Sequence, residues 1–443
     1  MSYAKLFENK SITSLIVLFS FPTIFSLVLE SLVSMIDTVF AGHLGEMSEI
    51  VLSAMGILSP LLQVLLAAQL IFGVSTSLVI SKQLGQNNEK KIGEVFTVGF
   101  YGCLFVSVGI SLLIFLFEDS LLNLLGTNAE VKVFVKQYLN RALIFNVFNS
   151  LGYMLVNMIR VFGYPKMEIL IGILSTISNI GLNILFTFIL GFGFKGIATA
   201  SLISSLIYFG CAALFLIVKQ RWMMINPFQL KDLKGTFMLI VKIGFVQFLM
   251  QALTSVSGFV MNHQLIELGQ DLAIGAFAIC QNFNMMMLLP LIGLTQGSQV
   301  VIAYFIGCGD VEKEKRVKRK IITYSLIYAI LISSFSLLSS EFCLRLFTEE
   351  LQIISVGVSI LQMLMIGFPF MAIIYALITF MQVSKEEVTA SRLEVFRQVV
   401  FLIPLIFLLS RISDFNKLSV FLAYPLSNMI IVVLYFNKLK SSY

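Results

Sequence analysis

Charge is scarce in this chain, and so are the residue types from which catalytic and metal centres are built. Asp, Glu, Lys and Arg together make up 12% of 443 residues, with two histidines, one tryptophan and five cysteines. His43 and His263 stand far apart, outside any H-E-x-x-H pattern, and no paired Gly-x-Gly-Asp occurs, so hydrolytic chemistry within a membrane lacks its parts. Cys103, Cys211, Cys280, Cys308 and Cys343 fall singly, which leaves neither a metal-ligand spacing nor a disulfide framework. The chain is therefore read as no enzyme, with no cofactor. What it has in quantity is apolar surface: 58% of its residues are hydrophobic, against roughly 45–50% in a soluble domain.

Apolar runs of about 20 residues or more, the length that crosses a bilayer as a helix, fall near 13–40, 52–81, 93–117, 133–158, 167–190, 196–218, 236–265, 273–303, 320–340, 353–382, 388–410 and 417–437. The first contains Pro22 and Glu30 and lacks a small-residue cleavage site, so it is read as a retained span. Orientation follows from Lys and Arg, which favour the cytoplasmic flank. With the N-terminus inside, Lys5, Lys10, Lys82, Lys90, Lys91, Arg160, Lys166, Lys219, Arg221, Lys231, Lys234, the run from Lys313 to Lys320, Lys385, Arg392, Lys438 and Lys440 share one side. The opposite loops 41–51 and 267–272 carry acids and no Lys or Arg. Both termini are expected in the cytoplasm of a multi-pass plasma-membrane protein. The net charge of +6 then reflects topology, and no nucleic-acid partner is read from it.

Residues 71–91 (IFGVSTSLVISKQLGQNNEKK) and 293–313 (GLTQGSQVVIAYFIGCGDVEK) are versions of one segment, about 222 positions apart. The same register sets Tyr153 on Tyr375, and a two-residue slip sets Leu44-Gly45 on Leu268-Gly269. Six crossings per repeat is an even number, so both halves enter from one side and their pseudo-symmetry axis runs along the membrane normal. The expected fold is an all-α polytopic membrane protein, twelve transmembrane helices in two pseudo-symmetric six-helix lobes. Residues 1–218 form the first lobe and 236–443 the second, with 219–235 a basic cytoplasmic linker that carries Trp222 and Pro227. Pro22, Pro60, Pro290, Pro369, Pro404 and Pro425 fall inside predicted spans and are expected to kink them.

Ionisable groups inside a bilayer need a partner, water or a proton. Glu30 and Asp37 are two helical turns apart on one face of the first span. Two readings stand for each: a packing or interfacial acid, or half of a site that binds a proton or cation. Asn179, Asn183 and Thr187 step by four along the fifth span. That stripe is either interhelical glue or a source of neutral oxygen ligands. In the second half Gln247, Gln251, Gln281, Asn282 and Asn284 offer an uncharged polar lining, and Met285, Met286 and Met287 either pack or soften an apolar cavity. Arg397 lies nine residues into the eleventh span, where it either snorkels or serves a substrate cavity; Arg141 is expected to snorkel and His263 to be a satisfied lone histidine.

SFPTIFSLVLESLVSMIDTVFAGHLG, SLVISKQLGQNNEKK, RVFGYPK and RQVVFLIPLIFLL, in that order, resemble the first, second, fifth and eleventh helices of the multidrug and toxic compound extrusion (MATE) transporters. The resemblance runs over nearly the whole chain. It implies a monomeric antiporter that exports amphipathic organic cations in exchange for H+ or Na+, around a cavity between lobes. It places Asp37 on the family's coupling-cation acid, Asn183 on its partner in helix five and Ser201 on a hydroxyl partner in helix six. The sequence departs at Thr187, where many relatives carry an Asp, at Glu30, where a Gln is common, and at Thr254, where some carry a Glu. A lipid-linked sugar flippase of the wider superfamily is the alternative; it calls for cavity cations to hold pyrophosphate, whereas the first helix here is acidic.

Overall fold

In hydrocarbon a backbone must satisfy its own hydrogen bonds, so these apolar runs fold as helices. The computed structural model describes residues 3–125, 127–219, 221, 232–412 and 417–436, and no strand occurs among them. Most of the expected linker 219–235, with Trp222 and Pro227, lies outside the described residues, as do Lys438 and Lys440.

The first half gives α1 (Ile12–Gly42), α2 (Ser48–Gly85), α3 (Glu89–Leu116), α4 (Ala129–Val161), α5 (Pro165–Asn183) and α6 (Phe194–Val218). The second gives α7 (Leu233–Glu267), α8 (Asp271–Cys308), α9 (Val311–Leu338), α10 (Leu351–Ile366), α11 (Phe368–Val383), α12 (Glu387–Val395), α13 (Ile403–Ile412) and α14 (Ala423–Leu434). Ten helices among the described residues are long and apolar enough to span a membrane. The predicted segment 353–382 is instead the pair α10 and α11, bent by 42°, and the last predicted segment is a shorter apolar helix, Leu418–Leu434.

Two spans contain π-helical turns, Ile184–Ile189 after α5 and Phe396–Leu402 between α12 and α13. Pro22, Pro60 and Pro290 sit inside helices. Pro369 lies in the first turn of α11, where its missing N–H is one that no helix uses, and the 42° bend between α10 and α11 falls just before it, where a kink is expected. Pro404 is the second residue of α13, two positions past the end of the second π turn, and it has no N–H to give the ladder there.

The duplication is written into the backbone. Gly45 and Gly269 share φ +64°, Asn87 (+54°) matches Gly309 (+73°), and Gly163 (+91°) matches Lys385 (+64°). The side chains of Asn88 and Asp310 cap α3 and α9 in the same way, accepting from the backbone N–H of Lys91 (3.2 Å) and Lys313 (3.0 Å).

The chain forms two compact units, one of Met1–Asn9 and Phe25–Phe248, the other of Lys10–Ile24 and Leu249–Tyr443. The backbone thus changes unit within α1 and again within α7. In the first unit the opening half of α7 lies on α2 so closely that a Cβ on Gly244 would stand 2.1 Å from the Ile71 carbonyl oxygen. In the second unit the opening half of α1 lies on α8, with the Ser20 hydroxyl donating to the Leu294 carbonyl at 3.0 Å. Each half-helix is pinned near its start by a threonine: Thr236 donates to Glu94 at 2.8 Å in the first unit, and Thr13 accepts from Lys320 at 2.7 Å in the second. Gln247 consequently belongs to the first unit rather than to a lining of the second half; Gln251 lies in the second.

Two substitutions test this packing by thermal unfolding in detergent, with opposite signs expected. Gly244→Ala forces a methyl group into backbone and lowers stability by about 1–3 kcal/mol. Lys385→Gly relieves a left-handed residue and raises it by about 1 kcal/mol.

Candidate functional site

Asp37 is 5% exposed, near the end of α1. The amide of Asn183 donates to its Oδ1 at 2.9 Å and the Ser201 hydroxyl to its Oδ2 at 2.8 Å. Asn183 also donates to Asn179 Oδ1 (3.1 Å), and Asn179 donates to Ser201 (3.3 Å) and Ser204 (3.4 Å). The Tyr138 hydroxyl stands beside the same carboxylate and Ser201. Thus α1, α4, α5 and α6 close one polar nest inside the first unit. The four-residue steps of α5 aim Asn179 and Asn183 at it, and the wider π turn begins directly after Asn183.

Two buried oxygens of this stretch, Asn183 Oδ1 and Thr187 Oγ1, have no hydrogen-bond partner. A buried polar atom left unpaired costs free energy, and here the unpaired atoms are oxygens in the same stretch of helix as the partner of an acid. No Lys or Arg among the described residues forms an ion pair with Asp37. One carboxylate with neutral oxygens is a donor set for a hard cation or a proton.

Glu30 is placed elsewhere. Gln69 Nε2 donates to Glu30 Oε1 at 3.1 Å, and Asn149 Nδ2 donates to Gln69 Oε1 at 3.0 Å, so this acid is tied to α2 and α4. It remains half-buried. Sequence spacing put Glu30 and Asp37 on one face, and the tertiary structure gives them separate partners.

In the second unit Arg397 does not snorkel. It is 4% exposed and grips Glu394, itself fully buried, with Nη2–Oε1 at 2.6 Å and Nε–Oε2 at 3.1 Å. Gln398 joins that pair to α7, donating to Glu394 (3.3 Å) and Thr254 (3.2 Å) and accepting from Ser257 (2.7 Å). Gln251 and Gln281 are half-buried, while Met286 is 57% exposed. Arg141 turns to the Thr199 hydroxyl (3.0 Å) and the Gln137 carbonyl (2.9 Å), and exposed His263 faces Glu267 at 3.6 Å.

Sequence reasoning missed four buried acids that are neutralised nearby, one of them Glu118, which faces Lys136 at 3.9 Å. Glu94 takes Lys91 at 2.7 Å, Glu168 takes Arg160 at 3.0 Å, and Glu394 takes Arg397. The three-residue spacings of Lys91 to Glu94 and Glu394 to Arg397 were available as a signal. Arg160 and Glu168 meet across the turn at Gly163, which spacing alone does not reveal.

A two-lobed helical membrane protein with a buried acid held by hydroxyl and amide groups in its first half defines a class, the multi-span carriers. The MatE family profile matches residues 22–185 and 247–408, and the chain belongs to that family. It is similar to multidrug export protein MepA of Staphylococcus haemolyticus, 26% identical over 381 residues, covering 84% of this chain and 82% of that one. MepA of Staphylococcus aureus strain MRSA252 is 25% identical over 409 residues, covering 91% and 88%. Among solved structures, a MATE protein in the bent conformation superposes with a TM-score of 0.91 at 21% identity, covering 99% of this chain and 96% of its own. A MOP superfamily transporter from Pyrococcus furiosus, described as having a binding pocket of reversed polarity, gives 0.90 at 21% identity, covering 99% and 97%. These structures establish the fold of twelve helices in two lobes.

The buried ion pairs make a test of their own. Glu168→Gln and Glu394→Gln each strand a buried guanidinium and are expected to cost about 3–5 kcal/mol, whereas Arg160→Met combined with Glu168→Leu recovers most of the loss. Thermal unfolding of the purified variants measures both.

Proposed function

We propose that this protein is a monomeric, cation-coupled antiporter of the plasma membrane, with both termini cytoplasmic. It exports amphipathic organic cations and other toxic compounds by alternating access, in exchange for inward H+ or Na+. The observation that carries this reading is Asp37: a buried acid with no cationic partner among the described residues, surrounded by hydroxyl and amide groups. Asn183 and Ser201 orient the carboxylate, while Asn183 Oδ1 and Thr187 Oγ1 are the unsatisfied oxygens that complete a shell for an incoming ion. Na+ is held by those oxygens directly; H+ is held on the Asp37 carboxyl, with Ser201 and Asn183 reorganising their hydrogen bonds around it.

Coupling then needs only a difference in affinity between two conformations. Loading Asp37 neutralises a charge that hydrocarbon and buried amides solvate poorly, and favours the arrangement in which the nest is closed. The export of multiple drugs named for the MepA relatives supports a xenobiotic substrate class. The lipid-linked sugar flippase alternative calls for uncompensated cations to hold pyrophosphate. Arg160 and Arg397 are both committed to buried carboxylates, which weighs against it.

Proteoliposomes accumulating a fluorescent cation under separately imposed pH and Na+ gradients provide the test. Asp37→Asn is expected to bring gradient-driven accumulation down to that of protein-free liposomes while still inserting; wild-type accumulation in that variant overturns the assignment. Ser201→Ala removes one hydrogen bond to the acid, worth about 1 kcal/mol, and is expected to shift the half-maximal concentration of the driving cation roughly fivefold without abolishing transport.

A further inference from the structure

Basic side chains near the ends of the spans are answered in two ways. At the start of α9, Lys313 meets Asp310 at 3.1 Å, Lys318 meets Glu314 at 2.6 Å, and Arg316 meets Glu312. Where α4 ends, α5 begins and α6 ends, Lys166, Lys219 and Arg221 form no ion pair among the described residues. The acid in the first turn of α5, Glu168, is turned inward onto Arg160 at 3.0 Å, with both side chains 3% exposed.

What two of these cations meet instead is aromatic. Lys219 Nζ lies 5.4 Å from the ring centroid of Tyr164 and 5.9 Å from that of Phe215, and the two rings pack edge to face at 5.2 Å. The Arg221 guanidinium lies 5.1 Å from the ring centroid of buried Phe162. Phe162 and Tyr164 flank Gly163 in the turn between α4 and α5, so the cations that follow α6 converge on that turn, and Lys166 stands two residues beyond it. A ring face holds a cation in place without cancelling its charge. The corner therefore stays positive.

Apolar stripes lead away from it. Leu170 and Leu174 follow Lys166 at steps of four along one face of α5, and Leu214 and Val218, also four apart, lead up to Lys219 on α6; all four are exposed. A fixed positive corner above exposed hydrocarbon matches an anionic phospholipid, with phosphate at one end and acyl chain along the other. A free phosphate would leave the stripes bare. The duplication supplies a comparison within the chain. In the register that sets Gly163 on Lys385, Ser384 and Glu386 stand in place of Phe162 and Tyr164, and Val388 in place of Lys166. The corner thus belongs to the first half alone and is no by-product of the shared backbone plan.

We propose that Lys166, Lys219 and Arg221, gathered about the Phe162–Tyr164 turn, bind the phosphodiester headgroup of an anionic phospholipid whose acyl chains lie along Leu170, Leu174, Leu214 and Val218. The occupant comes from the surrounding bilayer and is distinct from any coupling ion or transported solute.

The test is native mass spectrometry of the full-length protein in detergent, titrated with phosphatidylglycerol and, separately, with zwitterionic phosphatidylcholine. Wild type is expected to bind phosphatidylglycerol roughly tenfold more tightly or better, since each cation near a headgroup adds to the preference. Combined Lys166→Gln, Lys219→Gln and Arg221→Gln is expected to bind phosphatidylglycerol no better than phosphatidylcholine, while binding phosphatidylcholine like wild type. Lys219→Arg keeps a cation over the same rings and is expected to retain the preference. Lys313→Gln with Arg316→Gln removes two cations that already have acids, and is expected to stay within about twofold of wild type. Millimolar inorganic phosphate is expected to leave lipid binding unchanged. A wild-type protein without the preference overturns the inference, as does a triple variant that keeps it within about twofold. An equal loss in the α9 variant also overturns it, because the preference then belongs to the charge of a whole face, and so does displacement of the lipid by phosphate, because the site then reads a free anion.

Discussion

Hydrocarbon does not solvate charge, and the internal organisation of this protein follows from how each buried carboxylate is answered. Where the answer is a neighbouring cation, as at Glu94, Glu168 and Glu394, the result is a rigid polar joint between helices. Where it is only amides and hydroxyls, as at Asp37 and Glu30, no described Lys or Arg pairs with the acid. A transporter needs both kinds. Fixed pairs hold the bundle together, and unpaired acids make its energy depend on what is bound.

The helix that carries both unpaired acids is also one of the two that pass between the compact units. Its opening half is seated on α8 by Ser20 and by Thr13, and its closing half carries Glu30 and Asp37 to partners on α2, α4, α5 and α6. The α7 helix repeats the arrangement, with Thr236 fixed at Glu94 in one unit and Thr254 and Ser257 joined to Gln398 in the other. The two networks differ in charge: the first ends on an open acid, the second on an acid closed by Arg397. One backbone plan, duplicated, has therefore come to hold two electrostatic arrangements.

The π turns fit the same pattern. One follows Asn183 directly and contains Thr187, and the other contains Arg397 and Gln398. Widening one turn of a helix changes which side chains face inward without moving either end, which is why such turns recur where a polar group must be aimed.

The sequence by itself determined the membrane, the number and order of spans, the duplication and the polar face of α1, because each depends on composition, length or fixed spacing along one chain. Glu30 and Asp37 were legible as a stripe, and Asn179, Asn183 and Thr187 as a second stripe. That the second stripe meets Asp37 and not Glu30, that Arg397 closes on Glu394, that Arg160 reaches Glu168 across a turn, and that the units divide inside α1 and α7 were decided by the tertiary structure alone. The physical reason is distance along the chain: Asn183 and Asp37 stand 146 positions apart yet share a hydrogen bond of 2.9 Å. Helical periodicity names the face a side chain occupies, and only the packing of other helices says what that face will meet.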